Sequence, residues 1–175
     1  MIAAALAAVL AVAAPASAGV SDDDDVPTMR VYDSWRVSCP ATTEAGKSCA
    51  LSQDVVLTST MARLYELTIT RSGSVDTLAV MLPYNVLLEP GAGIDFGDGG
   101  KPVLIDFEVC DHGSCIARIP FTGSFAADFA KAKAPRVLFA GLDGKPVGAP
   151  FSLNGFGRAL NAYRRFERQR GAASP

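Results

Sequence analysis

The chain has 175 residues, a net charge of −2 and a hydrophobic share of 49%. Such a length suits one domain with a sizeable core. The near-balanced charge excludes a general polyanion-binding field, though not a local basic surface; no nucleic-acid partner is expected.

Met1–Ala18 is an apolar run that ends in Ala16-Ser17-Ala18, a small-x-small pattern. It reads as a secretory signal peptide cut after Ala18, although no Lys or Arg precedes the apolar stretch. It falls short of the roughly 20 residues that span a bilayer. Residues 19–28 are polar, with four consecutive acids at Asp22–Asp25, and read as a solvated leader. Residues 29–170 read as a single disulfide-bonded β domain. An even number of cysteines, four, behind an export signal implies an oxidising compartment.

Val31–Cys39 is expected as the first strand, with Trp35, Val37 and Cys39 on one face. A polar loop from Pro40 to Lys47 leads to a second strand, Cys49–Leu57, with Cys49, Leu51, Val55 and Leu57 in phase. Ala62–Thr70 is a third strand, turned at Ser72-Gly73-Ser74. Thr77–Leu82 is apolar on both faces and reads as a central strand ended by Pro83. Val86–Leu88 and Ile94–Phe96 are brief, and Gly97–Gly100 is a loop. Val103–Val109 and Cys115–Ile119 alternate around Asp111-His112-Gly113-Ser114 and form a hairpin. Ser124–Lys133 is expected as a short helix capped by Ser124 and stopped by Pro135. Arg136–Ala140 and Val147–Leu153 are strands joined at Asp143-Gly144, and Pro150 marks the second as an edge. Asn154 caps a last helix, Gly155–Gln169, whose Phe156, Ala159, Leu160, Tyr163 and Phe166 form a core-docking stripe. The whole reads as mainly β, an antiparallel β-sandwich-like single domain with one short helix and a C-terminal helix.

The residues offer no specific chemistry. His112 is the only histidine and sits in a hairpin loop, where an exposed ring is the expected role; no catalytic residue is assigned. The cysteines lack the paired C-x2-C spacing of zinc ribbons and form no C-x-x-C. Asp95 and Asp98, set among glycines, read as turn residues. No metal site and no cofactor follows. Hairpin geometry favours Cys39–Cys49 and Cys110–Cys115 bridges over the crossed pairings. Arg158, Arg164, Arg165 and Arg168 make the last helix basic. They are the candidate surface for an anionic partner, peripheral membrane association included, against the commoner reading of a solvated face.

A run of short motifs carries a resemblance. They are W-R-V-S-C at Trp35–Cys39, C-A-L-S-Q at Cys49–Gln53 and L-A-V-M-L-P at Leu78–Pro83. V-L-L-E-P-G at Val86–Gly91, V-C-D-H-G-S-C-I-A at Val109–Ala117 and P-F-S-L-N-G-F at Pro150–Phe156 follow. In this order they resemble the invasion-associated locus B family of secreted alphaproteobacterial proteins. One departure is Ser114, where the family more often has Gly directly before the second cysteine of the hairpin. The resemblance implies a periplasmic or cell-surface domain, linked in some members to host-cell entry, and no enzymatic activity. The expected function is a secreted or periplasmic, non-enzymatic envelope or adhesion-type protein with an envelope or host-surface partner. The alternative is a binding module for a small or anionic envelope ligand. A hydrolase would need a carboxylate pair or a site around His112.

Overall fold

The computed structural model describes residues 28–41, 48–111 and 113–173. The expected signal peptide, nearly all of the acidic leader, most of the 40–47 loop and His112 lie outside them. Among the described residues, eleven strands and two helices follow in chain order. The strands are β1 (Thr28–Tyr32), β2 (Trp35–Cys39), β3 (Ala50–Val56), β4 (Arg63–Ser72), β5 (Val75–Leu82), β6 (Ala92–Asp95), β7 (Val103–Ile105), β8 (Phe107–Cys110), β9 (Cys115–Pro120), β10 (Arg136–Ala140) and β11 (Pro146–Pro150). The helices are α1 (Gly123–Lys131) and α2 (Phe156–Ala173).

Two antiparallel sheets result, as expected for a mainly β sandwich with two helices. One has seven strands in the order β1-β2-β3-β4-β5-β9-β8, the other four in the order β11-β10-β6-β7. The inner face of the large sheet is set by period-two burial of Trp35 and Val37 on β2, Tyr65, Leu67 and Ile69 on β4, and Leu78, Val80 and Leu82 on β5. Its two halves have different covers. α2 lies against β1, β2 and β3. Over the other half, the Tyr65 hydroxyl on β4 donates to the Ala149 and Pro150 carbonyls of β11. One core joins both sheets and both helices.

Several boundaries differ from expectation for local reasons. Val31–Cys39 is two strands, because Asp33 takes a left-handed φ of 52° and turns β1 back along β2. Asp tolerates that conformation better than most residues. Val103–Val109 is also two strands: β7 pairs with β6 in the small sheet, and β8 pairs with β9 in the large one. β5 is central as expected, but only its inner face is fully buried; Thr77, Ala79 and Met81 are half-buried on the other. The β10–β11 connection is a five-residue loop, closed by Gly141 and Lys145, rather than a two-residue turn at Asp143-Gly144. β11 is an edge strand, as Pro150 implied. α1 begins after Thr122, not Ser124. In α2 the Gly155 carbonyl accepts the Ala159 amide. Gly155 has φ 81°, and a Cβ there would collide with the Tyr32 carbonyl, so the helix start is seated on the β1–β2 turn by a residue without a side chain.

Candidate functional site

α2 meets the large sheet along a seam of aromatic, polar and charged side chains. α2 enters it through aromatic packing. The Phe156 ring lies 4.8 Å from that of Trp35 and 5.2 Å from that of Phe129, and the Trp35 indole donates to the Ser152 carbonyl at 2.7 Å. Gln53, buried on β3, donates to the Ser34 and Ser152 carbonyls and accepts from the Ser152 amide. One amide side chain therefore fixes the segment before α2 to the β1–β2 turn.

Farther along α2, Tyr163 is fully buried and its hydroxyl donates to Asp76 Oδ1 at 3.2 Å. Arg71 donates to the same oxygen through Nε at 2.9 Å and lies 2.8 Å from it through Nη2. The hydrogen bond to Asp76 raises the Arg71 pKa further. Burial, helped by the Asp76 and Glu167 carboxylates, raises the Tyr163 hydroxyl above the usual phenol value, and burial alone does so for Tyr65. Both phenols stay neutral and act as hydrogen-bond donors. On the small sheet, the Gly97 amide and the Arg136 guanidinium hold the Asp95 carboxyl below its usual range.

The last turns of α2 clamp the first disulfide. Cys39 is bonded to Cys49 and Cys110 to Cys115. Glu167, buried on α2, accepts from the Cys49 amide at 2.5 Å. Arg170 donates to the carbonyl of Pro40, the residue after Cys39, at 2.8 Å. Both ends of the bridged loop are thus held by side chains one turn apart.

The four arginines expected to form one surface divide into separate roles. Arg158 is ion-paired with Asp33 at 2.5 Å. Arg164 turns toward the buried Asp76, with 3.7 Å between Nε and Oδ2. Only Arg165 and Arg168 stay on the exposed face without an ion pair among the described residues. Arg30 of β1 joins them: its guanidinium lies 5.6 Å from the Phe166 ring centre and that of Arg165 lies 5.5 Å from it. The only acid of α2, Glu167, faces inward, so the exposed face of the helix carries cations alone. Arg30 is absent from the expected set because it lies 135 residues from Arg165 and only the fold brings them together. Glu167 had one readable signal: it is four residues beyond Tyr163, in phase with the apolar stripe.

Elsewhere, an apolar trough of about 170 Å³ crosses the outer face of the small sheet. Its floor is the cross-strand row Leu104, Gly93, Leu138, Gly148, in which the glycines open space between the leucines. It is below the roughly 300–1,000 Å³ of small-molecule sites. No group of three or more potential metal ligands occurs among the described residues, and no described helix is long and apolar enough to cross a membrane.

Comparisons with known proteins bear on the fold and the family. No curated protein matches the chain. The crystal structure of invasion associated protein B from Bartonella henselae superposes with a TM-score of 0.68 at 17% identity, covering 81% of this chain and 99% of that one. At that identity the likeness shows the fold. The family profile for invasion associated locus B (IalB) protein matches residues 35–164, from Trp35 in the first hairpin to Arg164 in the last helix. The chain belongs to the invasion-associated locus B family.

Proposed function

We propose that the chain is an exported, non-enzymatic module of the periplasm or cell surface that meets an anionic envelope or host-surface partner and contributes to host-cell entry. The observation that carries this reading is the outer face of α2, where Arg165 and Arg168, joined by Arg30, stand without carboxylates among the described residues while the only acid of the helix is buried. Guanidinium groups held on a helix and backed by an aromatic ring suit phosphate or sulfate oxygens. Family membership and the two bridged cysteine pairs support an exported protein.

The test is fractionation of the native protein together with crosslinking and vesicle co-sedimentation. The expected result is recovery from the periplasm or surface, and an association with anionic vesicles that weakens as salt rises. Recovery from the cytoplasm, or sedimentation indifferent to salt, sinks the proposal. Loss of host-cell entry in a strain lacking the protein, restored by wild type and not by R165Q/R168Q, ties the surface to invasion.

A further inference from the structure

We infer that the basic face of α2 has a built-in occupant, the acidic run Asp22–Asp25 of the same chain. The inference rests on the reading of that face as an anion-binding surface and deepens it by naming its first ligand.

Register fixes where the leader emerges. β1 begins at Thr28, which pairs with Cys39. The next residue, Pro40, accepts from Arg170, and the partner cysteine's amide is held by Glu167. Neighbouring strands lie about 4.8 Å apart, so the chain enters β1 beside the last turns of α2. Direction agrees with position. Gly155, at the start of α2, presses on Tyr32 at the end of β1, while Phe166 lies level with Arg30. α2 therefore runs antiparallel to β1, and Thr28, the start of β1, lies at the end of the helix that carries Arg168 and Arg170.

Reach and charge then coincide. Only Val26 and Pro27 separate Asp25 from Thr28. At about 3.3–3.6 Å per extended residue, Asp25 comes within about 10 Å of Thr28 and Asp22 within about 20 Å. Arg165 and Arg168 are one helical turn apart and form no ion pair among the described residues. Four carboxylates are thus tethered within reach of a helix face that carries none among the described residues. A segment tethered this closely acts at a high effective concentration. It competes with outside anions, so an external partner must displace it.

A zero-length carbodiimide crosslink tests the contact without reference to any partner, so its failure is distinct from failure of the surface reading. Carbodiimide joins carboxylates to lysine and not to arginine. The variant R165K/R168K keeps both charges and makes the face reactive. It is used as the full chain, expressed with export so that any processing takes place, and at a dilution where products are monomeric. Four of the five native lysines, Lys101, Lys131, Lys133 and Lys145, are internal controls. The expected result is an Asp22–Asp25 peptide joined to one of the two substituted positions at tenfold or higher yield over the controls. That yield should collapse in about 1 M salt, where screening acts within about 3 Å. Leader adducts spread evenly over all lysines, or absent from both substituted positions, overturn the inference. D22N/D23N/D24N/D25N removes the reactive groups and must abolish the adduct.

Discussion

Tyr65 ties the two sheets through a single atom. Its hydroxyl donates to the Ala149 and Pro150 carbonyls at 3.1 and 2.8 Å, and its ring is fully buried. Removing the oxygen in Tyr65→Phe takes away the one hydroxyl proton these carbonyls share, a loss of about 0.5–1.5 kcal/mol readable by chemical denaturation. The same burial sets a pH dependence. The folded-state pKa values of Tyr65 and Tyr163 are raised above the unfolded value of about 10. A raised pKa contributes stability that is complete below the unfolded value and is lost as pH rises through the folded one. Stability should hold to about pH 10 and then fall, with both phenols ionising as the fold opens. Phenolate absorbance followed beside the near-ultraviolet signal of Trp35 checks this. Full ionisation of all four tyrosines with the Trp35 signal intact would show that the two hydroxyls are not sealed.

At the scale of elements, α2 is an amphipathic helix whose two faces predict opposite outcomes. Phe156 sits against Trp35, Phe121 and Phe129, and Phe156→Ala should cost about 3–5 kcal/mol. The arginines do not behave as a set. Arg165→Ala changes an exposed side chain and should fall within about 0.5 kcal/mol of wild type. Arg164→Ala withdraws a cation from beside the buried Asp76 and should be measurably less stable than Arg165→Ala. Thermal melts of the three variants rank them, and equal melting of Arg164→Ala and Arg165→Ala would remove Arg164 from the Asp76 cluster. The apolar stripe is readable in the sequence because helical spacing is a local property. That Arg164 turns toward Asp76 is not, since Asp76 lies 88 residues away. The hairpins are legible for the same reason as the stripe: alternation and turn residues are neighbours in the chain. The split of Val103–Val109 between two sheets is not legible. Asp106 sits in an unbroken alternation, and only the partners offered by β6 and β9 decide where one sheet ends. Gln53 gives no local signal either, because what suits it to a buried position is the pair of distant carbonyls at Ser34 and Ser152.

For the whole molecule, the two disulfides close loops of similar kind but couple to the fold differently. Their sequence separations are 10 and 5 residues. In the chain-entropy model such loops contribute about 2–3 kcal/mol each, the longer one slightly more. On loop length alone C39A/C49A and C110A/C115A would be nearly equivalent. The surroundings separate them. Cys110 is exposed, on the edge strand β8, and its hairpin is also held by the Asp111 carboxylate, which accepts from the Gly113 and Ser114 amides. Cys49 is fully buried and its amide is bound by Glu167, while the chain after Cys39 is bound by Arg170. Losing the first bridge frees the loop and also the two anchors of α2. A charged hydrogen bond is worth about 1.5–3 kcal/mol, so C39A/C49A should cost clearly more than C110A/C115A. A double-mutant cycle isolates the cause. In an E167A background the extra cost of C39A/C49A should shrink toward that of the shorter loop, because the anchor is already gone. An extra cost that persists undiminished would mean that the bridge acts through loop entropy and packing alone, and that the helix does not read the state of the disulfide.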